Sequence, residues 1–292
     1  MTDARPNATQ GARRLGRAAR SAGFLVAYVG YLGAVVGLGQ RLLLLPMIAL
    51  FPGSRQTLVG GWLRTHARAT LALARLLAGV RVTYAAGVSI AAESCVVVMN
   101  HQSVLDIPIG LALVRGPYAL IPTRDRYRRG IPGVSPLARL AGFPFVAQGR
   151  ALTREELRAL LAAADAVAAG ERSLLIFPEG HRSRDGRIGP FMRSGLRLVL
   201  KRAKRPVYGV VTDGVAADGA AQPRTFAQAL TRFAGTQVHV RVLGPFAPPD
   251  DAQIDAFVDA LHARMTAALA ELRGAPDIAD ATAPPLADAV GR

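Results

Sequence analysis

The chain has 292 residues, 51% of them hydrophobic and 19% charged, which is too apolar and too sparsely charged for a disordered chain, so a folded domain with appendages is expected. A single cysteine, Cys95, excludes an internal disulfide framework and any cysteine-cluster metal site. The net charge of +16 is uneven, because ten acids face six arginines after residue 205 and the basic excess lies before it. All but Lys201 and Lys204 of the 36 basic residues are arginine, which grips phosphate in a planar fork. Nucleic acid and phospholipid headgroups are the two anionic surfaces that suit this charge.

The N-terminus favours lipid. Arg5, Arg13, Arg14, Arg17 and Arg20 stand against Asp3 in a basic leader (1–20), and Ser21 to Gly39 then carries no charge. That run is close to the ~20 residues that cross a bilayer core. Arg41 interrupts, LLLLPMIALF (42–51) follows, and Pro46 can kink or end a helix before the Pro52–Gly53 turn. Two short apolar helices in a hairpin and a single span both fit; a cleaved signal peptide fits worse. If the run spans, the leader stays on the cytoplasmic side; otherwise it lies in the interface. Residues 54–78 read as an amphipathic helix with Arg55, Arg64, Arg68 and Arg75 on its basic side and His66 as a polar-face residue. Residues 21–78 together form the membrane-associated region.

After Gly79 the pattern changes to short β-branched runs, and the main domain is placed at 79–274. Strands are predicted at 80–85, 94–100, 118–122, 143–147, 173–177, 207–212 and 237–244. Helices are predicted from Thr153 to Gly170, opened by a Thr153/Glu156 capping box, over 191–204, and from Asp250 to Gly274. This alternation is the α/β pattern of a mixed sheet flanked by helices. The tail 275–292 is expected to be disordered. There is no internal repeat, no phosphate-binding glycine loop, and no interleaving of basic and aromatic residues of the kind nucleic-acid binders show.

Two constellations carry chemistry, each directly after a buried strand. In Asn100-His101-Gln102-Ser103-Val104-Leu105-Asp106, the histidine and the aspartate would sit ~140° apart on an ideal helix. They meet only if 101–105 turns tightly into the helix, and the carboxylate then orients the imidazole as a base toward a hydroxyl. The plainer alternative is a Ser103/Asp106 capping box, which Pro108 at the fifth helical position disfavours. In Phe177-Pro178-Glu179-Gly180-His181-Arg182-Ser183-Arg184, the turn is expected to present Glu179 and Arg182 on a rim suited to a phosphomonoester. Gln148-Gly149-Arg150 offers a further arginine at a strand end.

The H-x4-D of NHQSVLD and the FPEGHRS block resemble the paired motifs of the glycerolipid acyltransferases, namely the 1-acyl-glycerol-3-phosphate (lysophosphatidate) acyltransferases, over about residues 80–215. The resemblance implies the fold of that family on an N-terminal apolar helical hairpin as membrane anchor. It implies transfer of a fatty acyl group from acyl-CoA or acyl-carrier protein to the sn-2 hydroxyl of lysophosphatidate. His101 is then the general base oriented by Asp106, with Arg150, Glu179, Gly180 and Arg182 binding the acceptor, and no metal or resident cofactor. Its partners are the phospholipid membrane, lysophosphatidate and the acyl donor, with no nucleic acid. Its place is the cytoplasmic (inner) membrane, with the catalytic domain on the cytoplasmic side. Position 181 is His where the family has Thr, and the expected lysine of the second motif is replaced by Arg124 or Arg126. The fourth motif keeps Pro206 but continues with Tyr208-Gly209. These departures touch the acceptor more than the reaction, and another lysophospholipid or a lyso-aminolipid is the alternative acceptor.

Overall fold

Apolar runs that do not alternate belong to strands covered on both faces, and Val96–Met99 is such a run, with four fully buried side chains. The computed structural model describes residues 8–85, 89–147, 152–214 and 234–274. In chain order its helices are α1 (Ala8–Gly30), α2 (Leu45–Leu50), α3 (Arg55–Ala78), α4 (Asp106–Leu113), α5 (Val134–Ala141), α6 (Arg154–Ala168), α7 (Arg193–Ala203) and α8 (Ile254–Gly274). Its strands are β1 (Arg81–Tyr84), β2 (Val96–Met99), β3 (Ala119–Leu120), β4 (Thr123–Arg124), β5 (Phe145–Val146), β6 (Ser173–Ile176), β7 (Val207–Asp213) and β8 (Gln237–Phe246).

Six strands form one sheet in the spatial order β1, β8, β7, β2, β6, β3. β2 runs parallel to both of its neighbours, with Val98 opposite Ile176 of β6 and Met99 opposite Val210 of β7. The β7–β8 pair is antiparallel. Parallel neighbours end on the same side, so the loops after β2 and β6 leave the sheet side by side. α4 lies close on these strands because Gly110 has no side chain: a Cβ there would stand 2.5 Å from Leu175 Cδ2. α6, α7 and α8 pack in succession beside the sheet.

The capping box that opens α6 is formed. Thr153 Oγ1 accepts from the Glu156 N–H at 3.2 Å, and Glu156 Oε2 accepts from the Thr153 N–H at 2.7 Å. Several expected boundaries shift. The strand expected at 118–122 shrinks to two residues, and the one at 143–147 leaves the main sheet to pair with Thr123–Arg124 in a separate two-stranded sheet. α5 has no counterpart in the sequence reading, because eight residues containing Pro136 are too few to show a period. The last helix begins at Ile254 after a single 3-10 turn over Asp251–Gln253. Arg150 and the tail 275–292 lie outside the described residues.

The N-terminal region differs most. Residues 8–50 are helical throughout, and wider π-helical turns over Tyr31–Leu38 and Gln40–Leu44 join α1 to α2. Pro46 falls at the start of α2, just after those turns, so its missing N–H does not end the helix. The hairpin expected between two short apolar helices therefore turns later, at Phe51–Ser54, and its second arm is α3. Ala19–Leu50 is long and apolar enough to cross a membrane, and Val26, Leu42, Leu43 and Leu50 are exposed on it.

Close backbone approach docks this helix on the domain. Gln40 Nε2 donates to the Gly133 carbonyl at 2.6 Å, and a Cβ on Gly133 would lie 2.3 Å from the Leu32 carbonyl oxygen. Gly133 also has φ +71°, so a side chain there is both strained and obstructed. Gly133→Val is expected to destabilise the protein by about 1–3 kcal/mol, as strained backbone and overpacking do. A thermal melt of the full chain in detergent checks this, and an unchanged midpoint contradicts the docking.

Candidate active site

The turn that His101 and Asp106 require is present. Asp106 is the first residue of α4, and the chain from His101 to Leu105 folds back over its side chain. His101 Nδ1 donates to Asp106 Oδ2 at 3.0 Å. The same oxygen accepts from the backbone N–H of Gln102 at 2.7 Å and of Ser103 at 2.6 Å. Ser103 is not a helix cap here; its Oγ accepts from the Leu105 N–H and approaches Asp106 Oδ1 at 3.4 Å. Pro108 then falls in the first helical turn, where a missing N–H costs nothing.

Burial divides the pair. The Asp106 side chain is 1% exposed and that of His101 is 17% exposed. With Nδ1 committed to the carboxylate, Nε2 is the nitrogen left for a substrate, and it has no hydrogen-bond partner among the described residues. The Phe177 ring stacks on the imidazole with centroids 4.3 Å apart. An oriented imidazole with one free nitrogen can accept a proton from a hydroxyl.

The loop after β6 holds the peptide of His101 from both sides. Glu179 Oε1 accepts from the His101 N–H at 2.9 Å, and the Ser183 N–H donates to the His101 carbonyl at 2.6 Å. Glu179 Oε2 accepts from the Gly189 N–H at 2.9 Å. Glu179 is 3% exposed, so it does not stand on the rim where the sequence reading placed it. Burial pushes its carboxyl pKa up, against the pull of the Gly189 and His101 N–H bonds. Gly180 sits at φ +68°, and a Cβ there would meet Met192 Sδ at 2.4 Å. The left-handed φ is what favours glycine here, since the exposed Met192 side chain can move aside.

Positive charge gathers beside the Gly180 turn. Arg124, at the end of β4, donates from Nη2 to the Gly180 carbonyl at 3.2 Å. Burial, then the nearby charge of Arg126 and, more weakly, Arg182, pushes the Arg124 guanidinium below its ordinary pKa. Arg182 is half-buried, and neither Arg124 nor Arg182 has a carboxylate within ion-pair distance among the described residues. His181 is exposed, with Nδ1 3.2 Å from the Arg182 carbonyl. The choice between Arg124 and Arg126, open in the sequence, falls to Arg124 for contact with this turn; Arg126 reaches Tyr127 instead.

No group of three or more His, Cys, Asp or Glu that could hold a metal lies among the described residues. Cys95 is buried, which pushes its thiol pKa up to about 11, so it is a poor nucleophile. Asn100 and Thr212, on which the sequence gives no signal, extend the joint between β2 and β7: Asn100 Oδ1 accepts from the Thr212 N–H at 2.7 Å, and Asn100 Nδ2 donates to the Thr212 carbonyl at 2.9 Å.

The profile of the family described as Acyltransferase matches residues 81–213, a stretch that runs from β1 to the end of β7. The human 1-acyl-sn-glycerol-3-phosphate acyltransferase alpha is 27% identical over 181 residues, 61% of this chain and 59% of its own length. The chain thus spans about three fifths of that relative. The crystal structure of the 1-acyl-sn-glycerophosphate (LPA) acyltransferase PlsC from Thermotoga maritima superposes with a TM-score of 0.68 at 20% identity, covering 91% of this chain and 99% of that one. The mixed sheet and its flanking helices therefore share the fold of that enzyme, and the stretch that the Acyltransferase family profile matches, residues 81–213, carries both motif loops at one end of the sheet.

Proposed function

We propose that the chain transfers a fatty acyl group from an acyl thioester, carried on coenzyme A or acyl-carrier protein, to the free sn-2 hydroxyl of lysophosphatidate, giving phosphatidate. The observation that carries this reading is the oriented His101–Asp106 pair beside the guanidinium groups of Arg124 and Arg182, which have no acidic partner among the described residues. His101 Nε2 takes the hydroxyl proton as the oxygen attacks the thioester carbonyl. The C–O bond forms, the C–S bond breaks, and the proton passes from the imidazole to the departing thiolate. A thiol of pKa near ~8.5 leaves far more readily than an alkoxide, so deprotonation is the step that needs help. A covalent acyl-enzyme is not required, and the hydroxyl of Ser103 is occupied by Leu105 N–H and Asp106.

Arg124 and Arg182 hold the phosphate, and that contact positions the hydroxyl against His101. Arg150 is a third candidate for the same task. Glu179 and Gly180 act by shaping the turn, because the carboxylate is committed to two backbone N–H groups. The acceptor carries one acyl chain and resides in a bilayer, which agrees with an exposed apolar helix long enough to cross one. We place the protein at the cytoplasmic membrane with its catalytic domain on the cytoplasmic side; the basic leader shares that side when the apolar helix enters the bilayer and the chain returns through the turn at Phe51–Ser54 instead of crossing once.

Four measurements test this. His101→Ala is expected to lower kcat by about 10²- to 10⁴-fold, the range of general base catalysis, with phosphatidate followed by mass spectrometry; full activity would remove the base. Arg124→Ala and Arg182→Ala are each expected to raise the KM for lysophosphatidate by about 10-fold or more, since a bond to a charged group is worth about 1.5–3 kcal/mol, with the donor KM unchanged. Mixed acceptors in the same assay reveal whether a lysophospholipid with a substituted phosphate, or a lyso-aminolipid, is used instead. Glu179→Gln sets an amide NH₂ against a backbone N–H, so stability should fall by about 1–3 kcal/mol with little change in acceptor KM. A raised KM at unchanged stability would return Glu179 to the acceptor site.

A further inference from the structure

We propose that Thr212 is a positioning residue for the transfer reaction, acting through Asp106; this rests on the reading of His101 as the base. Thr212 is the penultimate residue of β7 and is 1% exposed. Its hydroxyl has one proton and two acceptors within reach, Asp106 Oδ1 at 3.1 Å and Asn100 Oδ1 at 3.3 Å. The carboxylate is the closer acceptor and the stronger one, while Asn100 Oδ1 already accepts from the Thr212 N–H. The proton therefore belongs to Asp106.

That bond supplies what the other donors do not. Three donors converge on Oδ2, namely His101 Nδ1 and two backbone N–H groups. Among the described residues Oδ1 has only Thr212 and the longer contact to Ser103 Oγ at 3.4 Å. The terminal torsion of an aspartate is broad, so a carboxylate held by one oxygen can still rotate. A donor on Oδ1 fixes its plane, and with it the direction in which His101 presents Nε2.

Thr212 is itself braced on both sides. Asn100 receives its N–H and donates to its carbonyl. The next residue, Asp213, receives Arg273 of α8 through Nε at 3.1 Å and Nη2 at 2.9 Å, and the same Nη2 donates to the Gly186 carbonyl at 2.7 Å. The hydroxyl is thus delivered to Asp106 from a rigid point behind the reacting groups, without access to the substrate.

The test compares full-length wild type with Thr212→Val, Thr212→Ser, His101→Ala, Asp106→Asn and the Asp106→Asn/Thr212→Val double variant, in mixed micelles of lysophosphatidate with an acyl thioester. The valine variant, near in shape but without the hydroxyl, is expected to lose about 10- to 100-fold in kcat, the size of one lost bond to a charged group, with both KM values within about twofold. Serine keeps the hydroxyl and restores most of kcat. On the Asp106→Asn background the valine change adds little, because the two act in one chain. A valine variant as fast as wild type, beside an inactive His101→Ala, overturns the role of Thr212 alone; an active His101→Ala overturns the reading beneath it. Equal losses in valine and serine, a parallel rise in KM, or full additivity with Asp106→Asn would show a merely structural role. Should valine fail to fold, alanine takes its place in the same comparison.

Discussion

A carboxylate taken out of water costs several kcal/mol unless donors replace its hydration, and at Asp106 they converge from three directions. Two backbone N–H groups come from the turn, an imidazole N–H from its start, and a threonine hydroxyl from the neighbouring strand. The turn is shaped by the group it serves. On a regular helix, histidine and aspartate five residues apart point away from each other. They meet because the helix begins only at Asp106 and the residues before it curl around its side chain. Remove the carboxylate and the N–H groups of Gln102 and Ser103 lose their acceptor together with the histidine. Folding and chemistry therefore depend on the same oxygens.

The second constraint is topological. β2 and β6 are far apart in the chain, yet they are parallel neighbours, so the loops that follow them emerge together. Glu179 converts that proximity into a fixed geometry by accepting from the His101 N–H on one oxygen and from Gly189 on the other, and Ser183 donates to the His101 carbonyl in the next peptide. The motif commonly read for its charges is, at Glu179 and Gly180, a device for holding backbone. Arg124 and Arg182, which come from different elements, have no acidic partner among the described residues; Arg124 reaches the Gly180 carbonyl and feels the charge of Arg182.

These particulars explain what the sequence discloses. β2, β6 and β7 are legible because buried parallel strands are unbroken apolar runs, and α6 because its capping box and period agree. His101 and Asp106 are legible as a pair but not as a geometry, since only the turn brings them together. The first hairpin turn is misread because Pro46 signals an end that π-helical turns absorb. α5 and the β4–β5 pair are too short to leave a period, and their form is set by tertiary contacts. Whether Arg124 or Arg126 faces Gly180 depends on the hand of one short turn. Thr212 is one hydroxyl at the end of an apolar strand, and nothing in spacing marks it until Asp106 is seen beside it.

The same segment joins the anchor to the site. Arg124 stands at one end of a stretch whose other end is Gly133, where the N-terminal helix docks backbone to backbone. Between them, Ser135 Oγ donates to the Tyr127 carbonyl at 2.9 Å and accepts from the Ile131 N–H at 3.1 Å, which stiffens the turn. On the other side, α3 packs along the anchor helix and also against α4, the helix that Asp106 opens. The apolar helix is thus tied to the arginines through α5 and to the carboxylate through α3. An acceptor that keeps its acyl chain in a bilayer needs its phosphate and its hydroxyl met at a fixed height above that bilayer. On the proposed function, a helix packed against the elements that carry both groups would set that height once for the two of them, which a flexible tether to the membrane would not do.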